Sequence, residues 1–338
     1  MKKKTINIAL QGGGTHLAFS WGVIDYLLED GRFAIEGLSG TSAGGLTCAA
    51  LAQGLEKNGL QGGREELAAF WEMVVEQGAL LGLAPSYIDR MFGLYGMDYS
   101  LPLSIVNTLL FAGFLPFPWS PFGLNNFKKL LNNFFDFEKL SQNKEIKLFL
   151  TATNVLNSKL KIFTGEELTV EAFMASACVP HYSQTVEIKG EFYWDGGYIG
   201  NPSLFPLIYN CDSPDILVIL VVPYQINTLP STVKNINWRM HDLFLTNTLV
   251  REMRAIEFVT NLINQQTRDN SKSKKVNVHV IEDNQFFADL DPSSRLNTDE
   301  NFLKILYERG RAVAAIWVEK NYDNIGKRST FDVKETFV

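Results

Sequence analysis

Cysteine is scarce in this chain of 338 residues. The three cysteines are Cys48, Cys178 and Cys211, and no Cys-x-x-Cys pair occurs among them. An odd count without that spacing argues against a disulfide framework and against a structural zinc site. We therefore expect reduced thiols buried inside an ordinary globular fold.

An excess of positive charge is also missing. The formal net charge is −6, which argues against nucleic acid as the main partner. Hydrophobic residues make up 46% of the chain and charged residues 20%, so a sizeable core is expected. The length allows one large domain or two ordinary ones.

Long hydrophobic runs are absent as well. The run from Leu103 to Leu115 is shorter than the roughly 20 apolar residues that a membrane-spanning helix needs. The start of the chain, Met1-Lys2-Lys3-Lys4, resembles a secretory leader, but the apolar stretch that follows is too short for one. We expect a cytoplasmic protein that meets a membrane surface transiently, and export by a specialised secretion system stays open.

One short stretch, Leu38-Ser39-Gly40-Thr41-Ser42-Ala43-Gly44-Gly45, contains the pattern Gly-x-Ser-x-Gly. The pattern is typical of a nucleophile elbow, in which a serine sits on a strained turn from a strand into a helix. Gly40 and Gly44 flank Ser42 where a Cβ would collide with the turn. An apolar run before the stretch and a helical pattern after it supply the required context. A lone match is more often an ordinary turn, so further support is needed.

A second glycine run, Gly12-Gly13-Gly14, separates a predicted strand from a predicted helix. Such a loop presents backbone N–H groups beside a helix N-terminus, and both features favour negative charge. The anion is either a pyrophosphate or a transition-state oxyanion. A dinucleotide fingerprint requires glycine where Leu17 stands, whereas the oxyanion interpretation has a partner in Ser42 one strand–helix unit later.

A base must activate Ser42, because a serine hydroxyl alone is a weak nucleophile. The order Ser…Asp…His of an ordinary hydrolase triad is met by Ser42, Asp195 and either His241 or His279. Two features argue against such a triad. The elbow follows only the second strand, so little of the sheet precedes it. The two histidines fall in a predicted helix and a predicted strand and not in a turn suited to presenting a base. Asp195 ends a strand directly before two glycines, and a desolvated carboxylate can take the serine proton itself. We therefore favour a Ser42–Asp195 dyad.

Predicted strands and helices alternate along the chain. The strands are expected at 5–10, 35–38, 145–153, 160–164, 185–188, 191–194, 215–222 and 276–281. The helices are expected at about 15–30, 46–53, 64–77, 170–178, 236–268 and 301–322. This alternation predicts an α/β fold, a three-layer sandwich around a mostly parallel central sheet.

The composition changes at about residues 78–137. No charged residue occurs between Asp98 and Lys128, and prolines and aromatic residues are frequent. We predict an apolar helical insertion with two possible roles. It either completes the core, or it caps a hydrophobic substrate cleft or dips into a bilayer interface.

Four separated blocks occur along the chain. They are, in order, Gly12-Gly13-Gly14, Gly40-Thr41-Ser42-Ala43-Gly44, Ala175-Ser176-Ala177-Cys178-Val179-Pro180, and Asp195-Gly196-Gly197 with Asn201-Pro202. Together they resemble the patatin-like phospholipase family, whose members are lipid acyl hydrolases with a Ser–Asp dyad. Each block is weak alone. Their order and spacing over about residues 5–225 make the combination specific.

The resemblance implies a serine lipid acyl hydrolase of the phospholipase A or lysophospholipase type, which acts on a lipid or phospholipid ester. Ser42 would form the acyl-enzyme and Asp195 would act as the base, without a metal or an organic cofactor. The oxyanion site would be formed by Gly12, Gly13, Gly14 and Ala43. The acyl chain would be lined by Leu110, Phe111, Phe114 and Phe117. Two alternatives stay open: an esterase on a non-membrane substrate such as a storage polyester, and a catalytically silent lipid-binding protein.

By the same resemblance, residues 1–225 form the catalytic domain, 226–322 are a C-terminal α/β extension of that domain, and 323–338 are a tail. One departure concerns the sequence after the glycine run. The family often has Gly-Gly-Gly-x-Arg-Gly, whereas His16 and Leu17 occupy the last two positions here. His16 is either a pH-dependent donor near the loop or a helix N-terminal residue without a catalytic part.

Overall fold

A computed structural model describes residues 3–80, 95–96, 124–180, 183–265 and 274–337. The predicted insertion lies mostly outside the described residues. The strands are β1 Lys4–Leu10, β2 Phe33–Thr41, β3 Lys147–Asn154, β4 Leu160–Phe163, β5 Val186–Ile188, β6 Glu191–Asp195, β7 Asp215–Ile219 and β8 Asn277–Ile281. The helices are α1 Leu17–Asp30, α2 Ala43–Leu80, α3 Leu124–Phe134, α4 Phe137–Gln142, α5 Val170–Ser176, α6 Phe205–Asn210, α7 Val233–Gln265, α8 Asn284–Asp289, α9 Glu300–Asn321 and α10 Val333–Phe337.

Within the described residues, the eight strands form one sheet with the order β5-β6-β3-β2-β1-β7-β8, and β4 pairs with β3. The strands β3, β2, β1, β7 and β8 are parallel. The β5–β6 hairpin and β4 add antiparallel pairs at one end. The prediction of a mostly parallel α/β sheet is confirmed. The carboxyl ends of the parallel strands, where such sheets carry their ligands, share one edge.

The parallel strands are buried on both faces, as expected for strands covered by crossover helices. In β1, the side chains of Ile6, Ile8 and Leu10 enter one apolar cluster, and that of Ala9 enters another. The first cluster also holds buried residues of α1, α2 and α9. The second holds those of α6, α7 and α10. The molecule is therefore a three-layer sandwich with a core on each side of the sheet.

Strand β2 is longer than its apolar run predicts, because it continues through Ser39 to Thr41. These polar residues are fully buried, and each hydroxyl has an acceptor: Ser39 Oγ donates to the Ser203 carbonyl at 2.6 Å, and Thr41 Oγ1 donates to the Gly200 carbonyl at 2.7 Å. The long-range partners make polar residues acceptable in a central strand. The strand thereby runs straight into the predicted elbow.

Helix α2 joins two predicted helices. It contains a break at Asn58 and Gly59, and Gly59 has φ +56°. The glycine-containing stretch between the two predicted helices is therefore a kink rather than a loop. None of the described helices is long and apolar enough to cross a membrane.

The C-terminal extension contributes to the central sheet, since β8 pairs with β7. The predicted division at residue 225 stays a prediction. A hydrogen-bonded parallel pair nevertheless links the two parts of the chain.

Candidate active site

Ser42 lies on the turn between β2 and α2, in the left-handed backbone region with φ +57°. This conformation is costly for a residue other than glycine and is typical of a functional turn. A Cβ on Gly40 would lie 2.6 Å from backbone atoms of Gly44, and one on Gly44 would lie 2.6 Å from the Leu10 carbonyl oxygen. Both positions therefore require glycine. The predicted elbow geometry is present at the carboxyl edge of the sheet.

Asp195 lies near Ser42 because β2 and β6 pair with successive residues along the same edge of β3. Thr41 at the end of β2 pairs with Thr151, and Asp195 at the end of β6 pairs with the next residue, Ala152. Strand β4 pairs with residues 150–153 and so occupies the opposite edge of β3. Consequently β6 continues on the edge where β2 stops. The ends of β2 and β6 meet, and the structure brings Ser42 and Asp195 together.

Backbone and side-chain contacts hold the aspartate in place. Its Oδ1 accepts the Gly197 N–H at 2.7 Å, and its own N–H donates to the Cys178 carbonyl at 2.8 Å. The Thr153 hydroxyl donates to the Asp195 carbonyl at 2.8 Å. The Ser42 hydroxyl lies close enough to the Asp195 carboxylate to lower its pKa. The carboxylate is thus held beside the serine.

Burial raises the pKa of Asp195 to about 6, although the hydrogen bonds from Ser42 and the Gly197 N–H act in the opposite direction. Burial disfavours the charged carboxylate, whereas donated hydrogen bonds favour it. A carboxylate with this pKa is ionised near neutral pH yet basic enough to accept a proton. Asp195 therefore has the protonation behaviour that a general base needs.

The pH dependence of activity should report this carboxyl group. Below its pKa the carboxyl is protonated and cannot accept the serine proton. We expect kcat/KM on a soluble short-chain ester to be half its upper plateau near pH 6. It should fall about tenfold for each further unit of acidification. A rate profile that is flat between neutral and mildly acidic pH would assign the base to another group.

The glycine loop lies directly against the nucleophile. A Cβ on Gly12 would lie 2.9 Å from the Thr41 carbonyl oxygen and 3.0 Å from the Ser42 Cβ. The Asn201 side chain holds the loop from the other side. It accepts the Gly12 N–H on Oδ1 at 2.6 Å and donates from Nδ2 to the Gly12 carbonyl at 3.3 Å. The loop is therefore fixed by contacts far apart in the sequence.

This arrangement corrects the prediction for Gly12. Because its N–H already donates to Asn201, Gly12 is not available as an oxyanion donor and acts as a spacer beside Ser42. Gly13 precedes a 3-10 turn at Gly14–His16, and Gly14 has φ +60°. The N–H groups of Gly13, Gly14 and Ala43 stay the predicted donors.

Ser176 has a role that its sequence block alone did not reveal. Its Oγ accepts the N–H of Ser42 at 3.0 Å, and its side chain is completely buried. Asn201 likewise received no role from the sequence. Both residues lie within the blocks that carry the family resemblance. This resemblance is the one sequence signal that could have indicated them. Each satisfies a backbone group that would otherwise be lost inside the site.

His16 is buried and faces the C-terminal part of the chain. Its Nε2 lies 2.8 Å from Ser294 Oγ, and its ring packs against Phe287 and Phe302. Burial, assisted by the charge of Arg295, lowers the pKa of His16 well below its usual value. A neutral imidazole cannot replace a permanent cation. At physiological pH, His16 therefore lacks the charged form that a pH-dependent donor near the loop would need.

His279, another histidine considered as a base, lies away from Ser42 in the sheet. His279 in β8 contacts Asp215 Oδ1 through Nε2 at 3.0 Å and Thr330 Oγ1 through Nδ1 at 2.9 Å. Strand β8 is three strands away from β2 in the sheet, which corresponds to about 14 Å. His241 lies on α7 with its ring near that of Trp238. His279 thus belongs to a structural pair and not to the Ser42 site.

Several further predictions concern the surroundings of the dyad. The residues predicted to line the acyl chain, Leu110, Phe111, Phe114 and Phe117, lie outside the described residues. Among the described side chains, no group of three or more histidine, cysteine or acidic residues is arranged to hold a metal. Two surface clefts, one beside Arg32 and one beside Phe33, lie near the amino ends of the strands, and neither contains Ser42 or Asp195.

The fold and the paired Ser42 and Asp195 define the general class of α/β proteins with a serine at a nucleophile elbow. The chain belongs to the patatin-like phospholipase family, because the family model matches residues 8–208, more than half of the chain. The resemblance deduced from the four blocks is thereby confirmed. Membership supports lipid acyl hydrolysis as the general activity.

One solved structure that the chain is similar to is VipD from Legionella pneumophila. It is 13% identical to this chain, with a TM-score of 0.43, and the match covers 100% of this chain and 73% of VipD. A search of curated proteins gave no match.

Proposed function

We propose that the protein is a serine lipid acyl hydrolase of the phospholipase A or lysophospholipase type. The observation that carries the proposal is the placement of Ser42 beside Asp195, a buried carboxylate with a pKa of about 6. The family match supports a lipid ester as the substrate.

In the first half-reaction, Asp195 accepts the proton of Ser42 as Oγ forms a bond to the ester carbonyl carbon. The carbonyl oxygen becomes an oxyanion, and the N–H groups of Gly13, Gly14 and Ala43 stabilise it. Such donors are each worth about 10²–10³ in rate where they have been removed from other hydrolases. The bond to the leaving alcohol then breaks, and the alcohol takes the proton from Asp195.

In the second half-reaction, water attacks the acyl carbon while Asp195 accepts the water proton. The bond to Ser42 Oγ breaks, the fatty acid departs, and Asp195 returns the proton to the serine. One carboxylate therefore serves both halves as base and then as acid.

The proposal is tested by fluorophosphonate labelling combined with a lipid-release profile of the purified chain. We expect the label on Ser42 and release of fatty acid from phospholipid vesicles, with neither in the Ser42→Ala variant. Labelling with hydrolysis of a soluble polyester, but not of vesicles, would favour a non-membrane esterase. Absence of both labelling and hydrolysis would instead indicate a silent lipid-binding protein and overturn the proposal.

A further inference from the structure

Helix α7 exposes large apolar side chains along one face, although its opposite face is already buried in the core. Leu249 and Met253 belong to the inner face and are 2% and 0% exposed. The exposed apolar side chains are Val233, Ile236, Met240, Leu243, Phe244, Phe258, Val259 and Leu262. We call this set, together with the exposed Arg251 and Arg254, the outer face of α7. A helix that is apolar on both sides is normally covered on both sides.

The charges on this helix are distributed unevenly. Arg251 and Arg254 are exposed between the two apolar groups of the outer face. The three acids of α7 are not exposed: Asp242 is buried, Glu252 accepts the N–H groups of Leu204 and Phe205, and Glu257 is half-buried. The outer face therefore combines apolar side chains with positive charge and contains no exposed carboxylate.

The inner side of the same helix supports the candidate active site. A Cβ on Gly197 would lie 2.7 Å from Leu245 Cδ2, so α7 backs the turn that follows Asp195. Thr248 Oγ1 accepts the N–H of Asn201, the residue that clamps the glycine loop, at 3.2 Å. A surface that docks on the outer face would therefore lie one helix diameter, about 10 Å, from the contacts of α7 with Gly197 and Asn201.

We propose that the outer face of α7 docks on the surface of a phospholipid membrane that contains anionic headgroups. The face spans residues 233–262, about 44 Å of helix, which suits a helix lying flat at the interface. Phenylalanine, leucine and methionine would enter the boundary between headgroups and acyl chains. Arg251 and Arg254 would contact lipid phosphates, which is the complementary charge. The inference rests on the proposed function, because a lipid substrate gives the protein a reason to approach a membrane. Docking itself requires no catalysis.

Two other occupants fit the charges less well. A second copy of the chain packed across a two-fold axis near the middle of the face would bring four arginines together, with no exposed carboxylate of α7 to neutralise them. The chain's own apolar stretch has no charged residue between Asp98 and Lys128 and so offers nothing to pair with Arg251 and Arg254. Anionic lipid satisfies both the apolar and the charged parts.

The test is vesicle flotation of the full-length chain carrying Ser42→Ala, so that hydrolysis cannot alter the lipid. Vesicles of phosphatidylcholine alone are compared with vesicles that also contain phosphatidylglycerol. We expect flotation with the anionic vesicles. The pair Phe244→Gln and Phe258→Gln should weaken binding at least about tenfold, because the rings no longer leave water. The pair Arg251→Gln and Arg254→Gln should weaken binding to anionic vesicles by roughly 30-fold and leave neutral vesicles unaffected.

The matched control is the pair Leu156→Gln and Ile316→Gln, whose side chains are 73% and 68% exposed on other elements. Equal flotation of the control pair and the phenylalanine pair would overturn the proposal, as would no flotation of the parent chain. Sedimentation that shows the phenylalanine pair converting a dimer to a monomer, without a change in flotation, would assign the face to a second copy. Failure of the proposed catalysis is recorded separately, by absent labelling of the native chain.

Discussion

Replacing Asp195 with asparagine is expected to lower kcat/KM for ester hydrolysis by up to about 10⁴-fold, the upper range for loss of a general base. The amide occupies the same space and can still accept the Gly197 N–H on its oxygen, so the geometry of the turn is kept. It cannot take the Ser42 proton. Steady-state rates on a soluble ester measure the loss, and fluorophosphonate labelling of Ser42 should slow in parallel.

The same substitution should change the free energy of unfolding in a pH-dependent way. The pKa of Asp195 is about 6 in the folded protein and near 3.9 when unfolded, so the folded state holds the proton more tightly. The contribution of Asp195 to native stability therefore falls as pH rises from about 4 to about 6, by about 3 kcal/mol in all. The variant lacks this titration. Its stability relative to the native protein should increase by that amount across the interval and stay constant above it.

Denaturant unfolding at a series of pH values measures this difference, and Asp323→Asn is the matched control because that carboxylate is exposed. The control should leave activity unchanged. Full activity in the Asp195 variant, or a stability difference that does not vary with pH, would show that Asp195 is not the titrating base. A gain in stability that accompanies a loss of activity is expected where a site is maintained at a cost to the fold.

Much of the sheet and both residues of the proposed dyad could be predicted from the sequence. Local patterns sufficed for β1, β3 and the β5–β6 hairpin, because alternation and turn residues act within a few positions. The glycines around Ser42 also carried their own steric reason. The class of fold followed from the alternation of strands and helices.

Other parts depend on contacts that no local pattern contains. The meeting of Asp195 with Ser42 depends on β6 taking the edge of β3 that β2 leaves, which is a property of sheet topology. The polar end of β2 is stabilised by carbonyl groups of Gly200 and Ser203, more than 150 residues away. The clamp from Asn201 to Gly12 spans 189 residues. Such pairings have to be observed, because the sequence around each partner looks like an ordinary loop.

Replacing Gly12 with alanine is expected to lower kcat by about 10²-fold, because it would displace the glycine loop that is proposed to hold the oxyanion. The new Cβ would lie 2.9 Å from the Thr41 carbonyl oxygen, 3.0 Å from the Ser42 Cβ and 3.1 Å from Asn201 Oδ1. Two of these atoms belong to the elbow and the third belongs to the clamp, so neither side can yield without moving a part of the site. The loop must retreat by several tenths of an ångström, and its donors would no longer meet the oxyanion. The loss should appear in kcat more than in KM, because an oxyanion forms only in the transition state.

The matched control is Gly63→Ala in α2, where the added Cβ would contact only the ends of the Leu28, Leu51 and Leu55 side chains at 3.1–3.3 Å. Flexible side chains can move, and alanine favours a helix over glycine by about 1 kcal/mol, so this variant should keep its activity. Two measurements separate the two possible causes of a loss at Gly12. A displaced donor slows labelling of Ser42 but leaves the melting transition intact, whereas a misfolded chain loses both. If Gly12→Ala retains full kcat with a normal melting transition, the loop does not supply the oxyanion donors, and Ala43 would have to act with donors from outside Gly12–Gly14. The tight contact of Gly12 with Ser42 argues for the opposite result, since a loop packed this closely against the nucleophile has no room for another group between them.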